Sequence, residues 1–381
     1  MSRKKKTDDQ NLFETVELSP YYDYTSILKQ KATYNLIIGQ RSNGKTFGWC
    51  RLVLDQYLNG GLPSAYLRRR EEMIKPTNIE HLFDPHLEYI VKESDGRWNG
   101  VTYRNRGFYL CRYEETQSGS RVKVDQDPNF FCRCYAISTA ETTKGQDVGE
   151  LYSIAYDEFV TRDFYLANEF ILFQNLLSSL IRDRDGTIIF MLANTVSKFC
   201  PYFREMGITK IHSMQQGTID VYQIGQTETK IAVEYCATAG NSKKVSKYFA
   251  FDNPELRMIS TGAWEIALYR HAPDQLSEAQ IIFVFFIVFD SQTIQGNIYM
   301  YHGYPIIFYH PKTTAIQDPE RCVIYREDTL DGNPLHQIQL RNCPTKPQQL
   351  IFELIRSQKT FYADNECGEV VANWLKTQGT R

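Results

Sequence analysis

The chain has 381 residues, enough for two domains at about 150 residues each. Its 43 Lys and Arg against 45 Asp and Glu leave a formal charge of −2, which excludes a histone-like or arm-dominated nucleic-acid binder but not a groove with a local basic lining. An apolar fraction of 42%, with 13% aromatic residues, is ample for a core and excludes a disordered chain.

Residues 1–20 read as a polar tail. The basic start runs into acidic and polar residues rather than an apolar stretch, so it is not a secretory signal. Residues 34–38 (YNLII) form a short apolar run ending in a glycine loop, the pattern of a buried parallel strand. Apolar residues at helical spacing follow (Phe47, Cys50, Val53, Leu54, Tyr57), and Gly60 and Gly61 with Pro63 beyond them mark the stop. Residues 65–67 read as a second strand, emerging into Arg68, Arg69 and Arg70. The stretch 76–135 alternates short aromatic and β-branched runs with turns, which predicts an insertion carrying a small antiparallel sheet. A buried strand is expected over 151–156, a helix over 170–181 and another buried strand over 187–192 (TIIFML), ending at Ala193 and Asn194.

Strands alternating with helices imply a three-layer α/β domain with a mostly parallel sheet. Residues 240–247 (GNSKKVSK) suit a linker or exposed loop. Beyond them, β-type runs at 281–289, 298–301 and 306–309 and late helices near 348–357 and 370–377 suggest an α+β second domain. The longest apolar stretch, 281–289, is far short of the ~20 residues that span a bilayer. The nine cysteines are scattered and include no CxxC pair, and Cys132 and Cys134 stand too close for a zinc knuckle, so reduced thiols in a soluble intracellular protein are expected.

The sharpest motif is Gly39, Gln40, Arg41, Ser42, Asn43, Gly44, Lys45 and Thr46, a full match to GxxxxGKS/T between a strand and a helix. Glycines let the backbone curl so that successive N–H groups point at phosphate oxygens. Lys45 then reaches the β- and γ-phosphates of ATP, and the Thr46 hydroxyl ligates Mg²⁺. The strand ending in Asp157 and Glu158 brings two adjacent carboxylates. Asp157 is suited to holding Mg²⁺ through water and Glu158 to polarising the attacking water. An acidic pair at a strand end also commonly just opens a solvated loop. Asn194 reads equally as a sensor of the γ-phosphate or as a turn former. Arg182 and Arg184 fit either an arginine finger or a solvated helix end, Lys144 either a functional or a plain loop lysine, and Arg68 to Arg70 either a phosphate contact or a solvated edge.

Taken together, GQRSNGKT, YLRRR, AYDEF, IRDRD and LANTVSKFCPYF resemble the DNA-packaging ATPases of small phi29-like podoviruses, compact relatives of phage terminase large subunits. The resemblance covers most of the first half and, more faintly, the second. It implies an ASCE-type P-loop ATPase domain over 21–228, a linker region over 229–265 and a smaller α+β RNase H-like domain over 266–381 that does not cut DNA. It further implies a ring of five copies at the portal (connector) vertex of a procapsid, in the host cytoplasm, pushing double-stranded DNA inward, with a packaging RNA as a further candidate partner and no membrane. Position by position, Arg68 falls at the arginine near the phosphates, Arg182 on the trans-acting arginine finger and Lys144 on a lysine acting across the subunit boundary. Larger terminases cut DNA with a carboxylate cluster holding two metal ions. Asp290, Glu327, Asp328 and Asp364 are the residues available here, and they do not align to a triad. Arg121, Lys123, Lys243, Lys244 and Lys247 are candidate DNA contacts because they lie in polar loops, with solvated surface as the competing reading of each. The competing reading is a P-loop helicase or replication ATPase of a mobile element. A nucleotide switch without motor function is poorly served by Glu158.

Overall fold

The computed structural model describes residues 21–143, 149–182, 184–211, 213–237, 264, 267–272, 276, 280–327 and 331–378. Along the chain, α1 (Thr25–Leu28) leads to β1 (Tyr34–Gly39), α2 (Lys45–Gly60) and β2 (Ser64–Arg68). Two short helices, α3 (Pro76–Ile79) and α4 (Leu87–Glu93), precede β3 (Gly100–Arg104), β4 (Gly107–Glu115), β5 (Arg121–Gln126) and β6 (Cys132–Ala136). Then come β7 (Ser153–Asp157), α5 (Glu169–Ile181), β8 (Ile188–Asn194), α6 (Pro201–Glu205), β9 (Thr218–Gln223) and β10 (Lys230–Tyr235).

These ten strands form one sheet in the order β3-β4-β6-β2-β7-β8-β1-β10-β9, with β5 paired to β4. The six strands from β6 to β10 run parallel, and antiparallel pairs flank them on both sides. Runs such as Leu36, Ile37 and Ile38 or Ile189, Phe190 and Met191 do not alternate with polar residues, so both faces of the central strands must be covered. One face packs on Trp49, Cys50, Val53 and Leu54 of α2. On the other, Phe173 of α5 lies 5.5 Å from the Tyr156 ring, with Leu176, Leu177 and Leu180 buried along the same helix. Each such side chain contributes about 1.5–3 kcal/mol when fully buried. α2 stops at Gly61, whose φ of +71° lets its N–H reach the Tyr57 carbonyl.

The small antiparallel sheet expected in the insertion is present as β3, β4 and β5, and it is continuous with the main sheet. The reason is β6, which pairs parallel with β2 on one side and antiparallel with β4 on the other. β10 falls in the 229–265 stretch expected as linker, yet it pairs with β1 in the sheet interior, as its buried Ile231, Ala232 and Val233 require. The basic loop expected over 240–247 lies outside the described residues.

Contacts divide the chain into two units. The first comprises Met1–Phe159, Leu172–Asn194 and Gln215–Tyr248; the second comprises Val160–Ile171, Thr195–Met214 and Phe249–Arg381. The second unit is therefore discontinuous in sequence, where one contiguous C-terminal domain was expected.

In the second unit, β11 (Gln280–Phe289), β12 (Gln292–Tyr301) and β13 (Tyr304–Pro311) form an antiparallel meander. β14 (Val323–Arg326) and β15 (His336–Gln337) add in parallel beside β11. α7 (Lys346–Arg356), β16 (Thr360–Tyr362) and α8 (Asn365–Thr377) follow, giving the sheet order β15-β14-β11-β12-β13-β16. Ile351 and Leu354 of α7 and Val370, Val371 and Trp374 of α8 share a core with Phe285, Ile287, Ile307 and Tyr309 of the sheet. α7 starts with a capping box between Thr345 and Gln348. All nine cysteines are free thiols. Among the described residues, no helix is long and apolar enough to cross a membrane.

Candidate nucleotide-binding site

β1 delivers the glycine loop to the N-terminus of α2. Gly44 caps that helix at φ +87° without any side-chain cap, so the first helical N–H groups keep their positive end uncapped. The Cβ of any other residue at Gly44 would lie 2.6 Å from the Tyr21 side chain, so glycine is required on two counts. The loop opens on a cleft of about 240 Å³ lined by residues 41–47, Asp157, Glu158, Ala193 and Asn194. The ends of β1, β7 and β8 thus meet in one place.

Lys45 is 6% exposed, and its ammonium is held among oxygens. It donates to the carbonyls of Gln40 (2.9 Å) and Gly39 (3.4 Å), to Asn43 Oδ1 (3.0 Å) and to Asn194 Oδ1 (3.3 Å). Burial lowers its pKa to about 8, against the opposing pull of Cys236 and Asp157. A cation caged by neutral oxygens gains more from an arriving anion than a solvated one does.

Opposite it, Asp157 accepts two hydrogen bonds on Oδ2, one from the Thr46 hydroxyl at 2.9 Å and one from the Tyr66 hydroxyl at 2.7 Å. Arg68 donates to the Tyr66 oxygen at 3.3 Å and to Glu158 Oε2 at 2.6 Å. The Arg68–Glu158 pair is half open to solvent at the carboxylate, so it holds Glu158 aside for only about 0–1 kcal/mol. Glu158 itself sits at φ +60°, left-handed backbone that a non-glycine residue adopts only when its surroundings fix it. Arg69, 4% exposed, supplies that fixation by donating to the carbonyls of Glu158 (3.1 Å) and Phe159 (2.7 Å).

Among the described residues no group of three or more His, Cys, Asp or Glu side chains could hold a metal alone. Thr46 and Asp157 suit Mg²⁺ nonetheless, because that ion is commonly held by one or two protein oxygens plus substrate phosphates and water.

The remaining sequence candidates are dispersed. Asn194 ends β8 and faces Lys45. Arg182 follows α5 at φ +52°, exposed, and does not line the cleft of its own chain. Arg184 donates to the Gly149 carbonyl at 2.7 Å. Arg121 and Lys123 belong to strand β5 rather than to a loop, because the hairpin with β4 continues through them. Lys144, Lys243, Lys244, Lys247 and Asp328 lie outside the described residues.

No protein-family model matches the chain. The DNA packaging proteins of Bacillus phages PZA and phi29 are each 23% identical to it over 196 residues, which is 49% of this chain and 50% of the relative. It is a homologue of the phi29 DNA packaging protein. The chain spans about half the length of the curated relatives it matches. Two solved structures share its fold almost end to end. The Phi-28 gp11 DNA packaging motor aligns at TM-score 0.50 and 16% identity, covering 95% of this chain and 98% of that one. The bacteriophage Phi-29 viral genome packaging motor assembly aligns at TM-score 0.55 and 15% identity, covering 94% and 98%.

The roles of several site residues escape a motif search. Tyr66 and Arg69 sit in a strand and its exit, where a tyrosine reads as core and an arginine as surface. The aromatic run Tyr21, Tyr22 and Tyr24 also binds the loop. The Tyr22 N–H donates to the Asn43 carbonyl (2.8 Å) and the Tyr24 hydroxyl to the Lys45 carbonyl (2.7 Å). Three tyrosines within four residues just ahead of the first strand are the available signal.

His86 packs on Phe47 of the first turn of α2, ring centroids 4.1 Å apart, and is 2% exposed. Burial, with the Arg51 charge second, pushes its pKa from 6.5 down to about 4. The unfolded chain therefore binds more protons between those values, and stability falls as pH drops from 6.5 towards 4. Denaturant midpoints across that window should decline in the wild type and decline less in His86→Phe. An unchanged slope in the variant would remove His86 from this role.

Proposed function

We propose that this chain is an ATPase motor that moves double-stranded DNA into a viral procapsid, working as a ring at the portal with ATP hydrolysed at subunit interfaces. The observation that carries this reading is the convergence of three strand ends: Thr46 bonded to Asp157, Glu158 one residue further on, and Asn194 bonded to Lys45 from the strand between them. β8 standing between β1 and β7 supports the ASCE class.

In this reading the 39–44 backbone and Lys45 hold the triphosphate, and Thr46 and Asp157 hold Mg²⁺, which when bound neutralises charge on the phosphate oxygens. Glu158, released from Arg68, orients and deprotonates water. Arg68 turns to the phosphates and Asn194 senses the γ-phosphate. Arg182 serves the site of a neighbouring copy and Lys144 acts across the same boundary, in a ring of five. The chain enters the second unit immediately after Phe159 and again immediately after Asn194. Two of the three strand ends at the site, those of β7 and β8, therefore run covalently into that unit, which gives hydrolysis a direct route to it.

The order β13-β12-β11-β14-β15 supports an RNase H-like second unit. Two of its candidate carboxylates, Asp364 and Glu327, are otherwise employed, which favours a domain that does not cut. Asp364 caps α8 through the Cys367 N–H, Glu327 pairs with Arg204 and accepts from the Asp290 N–H, and Asp290 sits in the β11–β12 turn. Double-stranded DNA, the portal and a packaging RNA are the partners proposed, in the host cytoplasm at the procapsid vertex.

Duplex DNA should stimulate ATP hydrolysis by the purified chain, the stimulation should fall as salt rises, and no strand displacement should accompany it. Strand displacement without procapsids would instead favour the helicase reading.

A further inference from the structure

The antiparallel edge of the first sheet carries an excess of positive charge on one side only. Facing residues of antiparallel strands share a face, and alternate residues along a strand return to it. The registers Arg104 with Gly107, Gly107 with Arg133, Tyr113 with Lys123 and Glu115 with Arg121 therefore put Arg104, Arg121, Lys123 and Arg133 on one face. Glu115 is the single acid among the β3–β6 strand residues of that face. Arg112, Glu114 and Asp125 alternate to the other face, where Arg112 and Glu114 pair at 2.8 Å.

The three arginines are mounted on rings, while Lys123 donates to Gln126 Oε1 at 2.8 Å. The Arg104 guanidinium lies 4.8 Å from the Tyr109 centroid, Arg121 5.1 Å from Tyr113, and Arg133 5.5 Å from Phe130 and 5.9 Å from Tyr135. The Tyr113 ring covers Gly100 of the neighbouring strand, where a Cβ would come within 2.4 Å of it. Among the described residues none of the four cations forms an ion pair.

We propose that this face binds the phosphate backbone of double-stranded DNA. The inference rests on the DNA-motor reading above and adds the surface that grips the cargo. Three excess positive charges on one strand face of a chain with net charge −2 match a polyanion. A guanidinium stacked on a ring keeps its N–H edges free and loses little freedom on bonding a phosphate in plane. With guanidiniums over them, the rings are not open platforms for unstacked bases, which favours duplex over single strand. Phosphate contacts without base readout suit cargo of arbitrary sequence.

The test measures the affinity of the full-length chain for a 30-bp duplex across a salt series, with the DNA-independent ATPase rate as control. Replacing Arg104, Arg121, Lys123 and Arg133 by Gln should weaken binding at least ~10-fold and flatten the log–log salt slope by about 0.9 for each phosphate no longer neutralised, with that ATPase rate unchanged. Changing the three arginines to Lys should keep most of the slope. Equal binding and slope in the Gln variant overturns the assignment. So does an unchanged DNA affinity with loss of duplex RNA binding or of self-association. If the wild type itself fails to bind DNA, the motor reading falls and not merely its surface.

Discussion

Glu158→Gln is expected to bind ATP about as tightly as the wild type and to hydrolyse it about 10²–10⁴-fold more slowly. The amide preserves the shape of the side chain and the left-handed turn at φ +60°, which Arg69 fixes through backbone carbonyls rather than through the carboxylate. What it removes is the basic oxygen proposed to take a proton from water. Lys45, Thr46 and Asp157, the proposed nucleotide and Mg²⁺ contacts, are untouched. The ion pair to Arg68 is also lost, but at half exposure it is worth about 0–1 kcal/mol, too little to unfold the site. Nucleotide affinity by fluorescence titration and turnover by phosphate release separate the two effects. Turnover near the wild-type rate would remove Glu158 from the role of base.

Arg182→Ala carries the second large effect, a fall of about 10³–10⁵ if the residue acts as an arginine finger. Arg182 is exposed at the end of α5 and does not line the cleft of its own chain, so the loss should appear only in assemblies and should be complemented between subunits. A mixture of Arg182→Ala and Lys45→Ala chains, each inactive alone, rebuilds a complete interface wherever an Arg182→Ala chain supplies the nucleotide site and a Lys45→Ala neighbour the arginine. In a randomly mixed ring that is about one interface in four. Activity recovered on mixing supports action in trans; none recovered places the arginine in cis or outside catalysis.

How far the sequence foretells this molecule depends on how local each signal is. The P-loop is local: its glycines and Lys45 are dictated by the curl of one turn and the start of one helix, and the cleft lining reproduces residues 41–46. The Asp157–Glu158 strand and the strand ending at Asn194 are legible because a short, largely apolar run, too short for a helix and ending in polar residues, fits an interior strand. The hydrogen bonds of Tyr66 to Asp157 and of Arg69 to the Glu158 and Phe159 carbonyls are not legible, although Arg69 reads as a phosphate contact or solvated edge. These bonds depend on β2 lying beside β7, which is a matter of sheet order and not of any short pattern. The same limit hides the extension of the main sheet through β6, since no residue in Cys132–Ala136 announces which strand it will join. β10 reads as part of a linker because the polar stretch after it dominates the local composition, whereas its pairing with β1 is set some 200 residues earlier. The split second unit is a further nonlocal outcome, as its two inserted segments carry no compositional boundary.

One measurement bears most directly on the motor itself. Purified procapsids, duplex DNA and ATP are incubated with the wild-type chain or with Lys45→Ala, and the DNA that has become resistant to added nuclease is counted. Wild type should protect DNA in proportion to ATP consumed, and Lys45→Ala should protect none. Protection that persists in Lys45→Ala, or brisk DNA-stimulated hydrolysis by the wild type with no DNA protected, would contradict an ATP-driven packaging motor.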